Sequence, residues 1–117
     1  VSGWGDRDPE EFGYDFPDTL HSVDLPMVSQ HDCTKSFASI ETIKITDAMI
    51  CTGTHNGEID ACGGDSGGPL MVQEDEENKM YLRGVVSFGT RKCGKGFPGV
   101  YTDISYYIDW IKRNLNP

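Results

Sequence analysis

The amino-acid sequence predicts an all-β fold, either a barrel or a sandwich, that ends in one α-helix. Its apolar segments are short and have strand character, and they are separated by turn residues, among them fourteen glycines and six prolines. The final segment differs, because its apolar residues follow the spacing of one helix face: Ile104, Tyr107, Ile108, Ile111 and Leu115. No internal repeat or linker divides the chain, so we expect one structural unit.

The first half of the chain is predicted to be rich in loops. Residues 6–18 carry six acids, one base and two prolines, which is typical of a surface loop. Residues 20–28 alternate loosely, as in a strand interrupted by a proline. Residues 37–40 are predicted to form a short helix, and residues 48–51 indicate a buried strand. Residues 52–68 hold six glycines and almost no aliphatic side chains, which predicts a long, tightly turning loop.

The second half is predicted to contain a hairpin, one further strand and the terminal helix. Residues 70–72 and 81–87 have strand character, and the acidic segment 74–79 between them is typical of a hairpin turn. Residues 100–102 indicate one more short strand. The helix that follows has candidate N-terminal caps in Asp103 and Ser105, and basic residues that complement its C-terminal dipole: Lys112 and Arg113.

Length and charge limit the function classes. The chain has 117 residues, which is one ordinary domain, and its ten basic and nineteen acidic residues give a formal net charge of −9. Phosphate binding needs a basic surface, so this balance argues against a nucleic-acid partner. No apolar run approaches the ~18–20 residues of a membrane-spanning helix. The start at residues 1–4 has no initiator Met or signal peptide and resembles the middle of a longer protein, which predicts a fragment or a processed chain.

The four cysteines, at positions 33, 51, 62 and 93, indicate an oxidising compartment. None are two residues apart as in structural zinc sites, and their long spacings favour two disulfides in a secreted protein. Three connectivities remain open. The sequential pairing closes two loops of moderate size, and four buried thiols are the alternative to any disulfide.

The segment 60–69 contains the candidate chemistry. Glycines flank Ser66 closely, and Gly64 and Gly67 allow backbone angles that would expose its hydroxyl on a tight turn. The backbone N–H groups of Gly64 and Ser66 can then point into one small space, as in an oxyanion hole. A glycine-rich turn without chemistry is the alternative for an isolated motif of this kind.

The sequence Cys-Gly-Gly-Asp-Ser-Gly-Gly-Pro-Leu at 62–70, with Asp60 six positions before the serine, resembles the nucleophile segment of chymotrypsin-fold, trypsin-like serine proteases. Four other segments resemble the same family in the same order. They are residues 1–5, residues 49–53, residues 84–89, and residues 98–102 followed by Tyr107, Trp110 and Ile111.

This resemblance implies that residues 1–117 are the C-terminal half of the catalytic domain: a six-stranded antiparallel Greek-key barrel with a C-terminal helix, without the N-terminal barrel. It implies a serine endopeptidase in which Ser66 is the nucleophile and Gly64 and Ser66 form the oxyanion hole. Asp60 would lie at the base of the specificity pocket beside Ala61, where its carboxylate would select substrates cleaved after Arg or Lys.

The resemblance also assigns roles around the pocket. Gly89 and Gly99 would keep its walls clear, and Ser87 and Phe88, together with Gly89, would bind the substrate backbone as an added strand. Asp65 would accept the new N-terminal ammonium group when the zymogen is cut. The family's disulfides correspond to Cys33–Cys51 and Cys62–Cys93.

Some positions depart from the family pattern. Phe88 replaces a common Trp, Gly63 replaces a longer residue beside the oxyanion hole, and Pro98 stands where sodium-activated relatives have an aromatic residue. We therefore expect no sodium or other metal site and no cofactor. Residues 87–89 and 93–99 are most similar to those of arthropod clip-domain proteases.

The chain has no histidine in the family's general-base context. His21, His31 and His55 do not follow the Ala-His-Cys pattern, so the base and its orienting carboxylate are expected from an N-terminal half. The chain alone should be inactive. Its expected partners are that half, without a disulfide to it, protein substrates with Arg or Lys at the cleavage site, and protease inhibitors.

Two other functions are compatible with parts of the pattern. One is a non-catalytic protease homologue that acts as a binding module or cofactor, although retention of both Ser66 and Asp60 argues against it. The other is an α/β-hydrolase esterase, because residues 64–68 also fit its Gly-x-Ser-x-Gly motif. That motif requires a helix after the serine, whereas Pro69 and a strand-like segment follow here.

Overall fold

A computed structural model describes residues 1–5, 18–53, 66–74, 79–88 and 97–115. Within these ranges an antiparallel five-stranded sheet, in the order β3-β4-β7-β6-β5, lies beside a two-stranded sheet of β1 and β2. This arrangement and its C-terminal helix confirm the predicted all-β class and agree with a barrel half of the chymotrypsin fold. The elements are β1 Ser2–Gly3, β2 His21–Ser22, β3 Met27–Val28, α1 Gln30–Phe37, β4 Met49–Thr52, β5 Pro69–Glu74, β6 Lys79–Phe88, β7 Gly99–Asp103 and α2 Ile108–Leu115.

The hairpin of β5 and β6 forms as the apolar pattern predicts. Leu70, which is buried, pairs with Gly84, and the register shifts by one residue directly after this pair. Gly84 is needed for close packing between strands. A Cβ atom there would lie 3.1 Å from both Ile50 Cδ1 and Tyr101 Cβ, and 3.2 Å from the Thr102 carbonyl oxygen. Since two of these atoms lie on or next to the backbone of β7, they have little freedom to move away.

We expect Gly84→Ala to lower the free energy of unfolding by about 1–3 kcal/mol, the usual range for overpacking a tight site. Gly53→Ala is the matched control, because its Cβ would meet Pro98 Cα at an ordinary 3.4 Å. Urea unfolding of the two variants measures the difference. Equal stability of the Gly84→Ala and Gly53→Ala proteins would contradict the packing argument.

The segment predicted as one interrupted strand, 20–28, is instead two short strands in different sheets. β2 pairs with β1, and this pairing is extended by hydrogen bonds in both directions between Val1 and Val23. β3 pairs with β4, and the Pro26 carbonyl next to it accepts a bond from the Gly53 N–H group at 3.1 Å. The chain therefore crosses from one sheet to the other before Pro26, a residue that cannot donate a ladder hydrogen bond.

The first helix lies earlier than predicted. The sequence predicts a short helix around residues 37–40, but α1 ends at Phe37, and Ala38 is its C-terminal cap. Its start is determined by Ser29, whose Oγ accepts a hydrogen bond from the Asp32 N–H group at 3.1 Å. The helix is mostly polar and buries only Cys33 and Phe37, one turn apart, so apolar periodicity was a poor guide to its position.

The core forms where α1 packs on the five-stranded sheet. Five buried side chains make up its centre: Cys33, Phe37, Ile45, Cys51 and Val100. A disulfide joins Cys33 of α1 to Cys51 of β4, with 6.3 Å between the Cα atoms, so the first of the two expected disulfides is present. This bond holds α1 against β4 in the middle of the core.

The C-terminal helix begins later than predicted, because residues 104–107 form a turn before α2. Of the two candidate caps, Asp103 is the one that stabilises this turn, because its Oδ1 accepts a hydrogen bond from the Ser105 N–H group at 2.9 Å. The Arg83 guanidinium group pairs with the same Asp103 oxygen and lies 3.2 Å from Ser105 Oγ. These contacts hold the turn that precedes α2 against β6.

The helix α2 is solvent-accessible along its length, and none of its residues is buried. Trp110, for example, is 57% exposed. Beside the helix lies an open, mainly apolar cavity of about 320 Å³, lined by Thr102, Ile104, Tyr107, Trp110 and Ile111. Each helix of the described ranges has eight residues, so neither is long enough to span a membrane.

Candidate active site

Ser66 lies exposed on a turn that leads directly into β5. Gly67 follows it with a φ of 84°, in the left-handed region that favours glycine. Among the described residues, no atom lies within 4 Å of a Cβ built at Gly67, and the backbone angle itself constrains this position. The sequence analysis predicted this role for Gly67, and the serine is displayed on a tight turn as expected.

Two backbone hydrogen bonds hold this turn against β6. The Gly67 N–H group donates to the Val86 carbonyl oxygen at 2.9 Å, and the Val86 N–H group donates to the Gly68 carbonyl oxygen at 2.9 Å. Ser87 follows Val86 immediately. The turn that carries the predicted nucleophile is therefore attached to the strand that is predicted to bind the substrate backbone.

The end of β6 contains an irregularity at Ser87. Val86 pairs with Tyr101 and Phe88 pairs with Val100, so two steps along β6 match one step along β7. Ser87 is the extra residue, and it is exposed, whereas Phe88 is half-buried. Bulges of this kind redirect side chains and interrupt strand pairing, and they occur often beside binding sites.

Gly99 begins β7 at the opposite side of this region. It is buried and pairs with Thr52 of β4. A Cβ atom on Gly53 would lie 3.4 Å from Pro98 Cα, an ordinary contact distance, so residues 52–53 pack against the residue before Gly99. The predicted wall residue Gly99 thus lies in the buried part of the sheet.

The structure therefore brings three of the predicted residues into neighbouring segments: Ser66, Ser87 and Phe88. Gly99 lies one residue before Val100, which is the β7 partner of Phe88. The remaining predicted residues lie outside the described ranges, and their roles stay predictions: Asp60, Ala61, Gly63, Gly64, Asp65 and Gly89, together with the Cys62–Cys93 disulfide.

Of the three histidines, the structure describes two. His21 lies on β2 and His31 on α1, both exposed, and His55 is outside the described ranges. Among the described residues, no group of three or more His, Cys, Asp or Glu side chains is arranged to hold a metal ion.

Three contacts in the described part of the chain were not predicted from the sequence. Thr52 Oγ1 donates to the Tyr101 hydroxyl oxygen at 2.7 Å, and both residues are fully buried. Phe37 contacts the rings of Phe88 and Phe97. Successive residues of a strand point to opposite faces, so the buried Cys51 gave no signal that Thr52 is buried as well, and nothing in the order of residues indicates which distant rings Phe37 meets.

Comparisons with known proteins identify the family. The family described as Trypsin matches residues 1–111. The chain is 43% identical over 114 residues to trypsin-1 of the crayfish Astacus astacus, covering 97% of this chain and 45% of the relative. It is 43% identical over 114 residues to human mannan-binding lectin serine protease 1, covering 97% of this chain and 16% of the relative. It is 41% identical over 115 residues to human trypsin-3, covering 98% of this chain and 34% of the relative.

The chain thus spans less than half the length of these relatives, while almost all of it is matched. The more specific similarity to arthropod clip-domain proteases stays a prediction. The exposed serine turn, the antiparallel sheet and these matches lead to one conclusion. The chain belongs to the trypsin family of chymotrypsin-fold serine proteases.

Proposed function

We propose that residues 1–117 are the C-terminal barrel half of a trypsin-like serine endopeptidase and supply its nucleophile, oxyanion hole and specificity pocket. The observation that carries the proposal is the pair of hydrogen bonds between the Ser66 turn and Val86. They hold an exposed serine beside the exposed end of a strand, where a peptide can add as a further strand. A reacting carbonyl in that peptide would then lie within reach of the serine hydroxyl.

The proposed reaction is acyl transfer. Ser66 Oγ attacks the substrate carbonyl carbon while a histidine takes its proton, and the carbonyl π electrons move onto oxygen. The N–H groups of Gly64 and Ser66 stabilise that oxyanion. Collapse of the intermediate breaks the C–N bond, and the leaving amine takes the proton from the histidine. Water then attacks the acyl-enzyme in the same way, which releases the acid and restores the Ser66 hydroxyl.

The histidine and its orienting carboxylate are proposed to come from an N-terminal half. Two observations support such a partner. The relatives are more than twice as long as the segment that this chain matches, and α2 exposes apolar side chains beside an apolar cavity. Exposed apolar surface of this kind is usually covered in the complete protein. On this proposal the chain alone is inactive, and no disulfide joins it to the other half.

Asp60 is proposed to select Arg or Lys, with Ala61 beside it and with Gly89 and Gly99 keeping the pocket open. Cleavage after a basic residue would then depend on an ion pair inside the pocket.

We expect Asp60→Ser in the complete protease to lower kcat/KM for Arg and Lys substrates by about 10²–10⁴-fold. The reason is that removing one member of a buried ion pair costs about 3–5 kcal/mol. Glu41→Gln, a change at an exposed carboxylate, is the control and should leave kcat/KM unchanged. Retained preference for Arg and Lys in the Asp60→Ser enzyme would show that another group selects the substrate.

The proposal includes secretion and activation from a zymogen. The Cys33–Cys51 disulfide supports an oxidising, extracellular location. Asp65 is proposed to bind the new N-terminal ammonium group after cleavage of the zymogen. Protein inhibitors of trypsin-like proteases are proposed partners because they bind the same strand and pocket as substrates.

Labelling with a fluorophosphonate tests the proposed function. The complete protein that contains this sequence is activated, treated with the reagent and digested, and the adduct is located by peptide mapping. We expect the adduct on Ser66, because only a serine paired with a general base reacts readily. Absence of an adduct on folded, activated protein would instead indicate a non-catalytic homologue that acts as a binding module or cofactor.

A further inference from the structure

Lys44 differs from the other basic residues of the described ranges, because it lies outside helices and strands. It belongs to the segment 43–46, which connects two turns and pairs with no strand of those ranges. A trypsin-like protease binds its substrate in extended form, which a helix or a paired strand does not offer. The other basic residues that the structure describes belong to helices or to β6: Lys35, Lys79, Arg83, Lys112 and Arg113.

Burial alternates along the segment 43–46. Ile43 is half-buried and Ile45 is buried, and both belong to the core around α1 and β4, whereas Lys44 and Thr46 are exposed. This alternation is that of an extended strand, whose successive side chains point to opposite sides. The Lys44 side chain therefore projects to solvent from an extended stretch of backbone, as a substrate side chain must do to enter a specificity pocket.

The hydrogen bonds of this segment converge on one atom near its end. The Thr46 carbonyl oxygen accepts a bond from Gln30 Nε2 at 2.8 Å and one from the Met49 N–H group at 3.1 Å. Within the described ranges, no hydrogen bond joins Lys44 or Ile45 to another residue. Segments with few backbone hydrogen bonds open locally without unfolding of the whole domain. Opening here requires chiefly that Ile45 leaves the core.

The segment lies inside the loop that the Cys33–Cys51 disulfide closes. If the chain is cut after Lys44, one new end stays attached to α1 and the other to β4. The disulfide between these two elements keeps both fragments in one molecule. A cut at this place therefore changes the covalent structure of the loop without releasing a fragment.

We propose that the peptide bond between Lys44 and Ile45 is a self-cleavage site, which one activated protease molecule cuts in another after the segment 43–46 has opened locally. This inference rests on the proposed function, because it requires cleavage after a basic residue. Ser66 Oγ of the cutting molecule forms an ester with the Lys44 carbonyl carbon, and the C–N bond breaks as the Ile45 nitrogen leaves as an amine. Water then hydrolyses the ester, which leaves a carboxylate on Lys44.

The test uses the complete protein with Ser66→Ala as the substrate, because it cannot cut itself, and a trace of the activated, unchanged protease as the enzyme. We expect a new N-terminus that begins Ile-Thr-Asp-Ala, and fragments of this cut that separate only after reduction of the disulfide. Lys44→Gln in the substrate should abolish this N-terminus. Lys112→Gln, which changes an exposed lysine inside α2, is the matched control and should leave the rate at Lys44 unchanged.

Three further substrate variants test local opening. Gln30→Ala removes one contact to Thr46 and should raise the initial rate at Lys44 about fivefold, because proteolysis follows the population of the opened form. Ile45→Val weakens the hold of the core on the segment and should raise the rate by a similar factor. Gly84→Ala, which should destabilise the sheet as a whole, should leave the rate unchanged, because its close contacts lie outside the segment.

The outcomes distinguish this inference from the function on which it rests. If the enzyme hydrolyses a peptide ending in Arg but leaves the bond after Lys44 intact, the self-cleavage site is wrong and the proposed function stands. Equal acceleration in Gly84→Ala and Gln30→Ala would mean that only global unfolding exposes this bond, and would also overturn the inference. If the unchanged enzyme neither reacts with the fluorophosphonate nor cuts the peptide, both are wrong.

Discussion

Replacing Ser66 with alanine in the complete, activated protease is expected to lower kcat by about 10⁴–10⁶-fold, the loss typical for removal of a nucleophilic serine from a triad. The side chain lies exposed on its turn, so the substitution removes a reacting atom without creating a cavity. The turn is held by backbone hydrogen bonds of Gly67 and Gly68 and should keep its shape. Hydrolysis of a peptide substrate ending in Arg, followed with time, measures the loss.

The control is Ser39→Ala, which removes an exposed hydroxyl from the turn after α1. It should leave kcat unchanged. KM for peptide substrates should also change little in the Ser66→Ala protein, because its pocket and substrate strand are intact. Residual activity within tenfold of the original would mean that another group is the nucleophile, and the proposed mechanism would then be wrong.

Removing the Cys33–Cys51 disulfide is expected to lower the free energy of unfolding by about 3 kcal/mol. The two residues are 18 positions apart, and opening a loop of this size restores that much conformational entropy to the unfolded chain. Both sulfur atoms are also part of the buried core, so the variant loses some packing. The double substitution Cys33→Ala and Cys51→Ala is preferred, because a serine would bury a hydroxyl group at each site.

The midpoint of urea unfolding of the complete protein measures this change. Ser39→Ala again serves as the control, since it lies near the end of the same helix but outside the core. A loss below about 1 kcal/mol would mean that the disulfide adds little to the contacts that already hold α1 on the sheet.

Some elements were predictable because their information is local. The β5–β6 hairpin follows from two apolar runs on either side of an acidic turn, and the buried strand β4 from four consecutive apolar or small residues. The position of α1 was not predictable in this way. Eight mostly polar residues with two buried positions carry little periodicity, and the cap at Ser29 is effective only because the sheet provides a place for Cys33 and Phe37.

The candidate site also has parts that the sequence predicts and parts that it does not. The nucleophile turn was predictable, since a serine among glycines has a recognisable backbone requirement, and Gly67 does adopt a positive φ. The hydrogen bonds between that turn and Val86 could not be predicted, because a bond between residues about twenty positions apart depends on the register of the hairpin. The two cap candidates Asp103 and Ser105 were equivalent in sequence, and only the structure shows that Asp103 Oδ1 accepts a hydrogen bond from the Ser105 N–H group while Arg83 contacts both residues.

The all-β class could be predicted from residue patterns, and the family and the candidate nucleophile from motifs at fixed spacings; the Cys33–Cys51 pairing followed only from the resemblance to the family, since the spacing of the cysteines left three connectivities open. The position of α1, the bulge at Ser87 and the contact of one phenylalanine with both Phe88 and Phe97 emerged only in the folded chain. The physical reason is that packing joins residues which are distant in the chain. Which side chains meet depends on strand register and on the shape of the space between elements, and neither is written in local spacing.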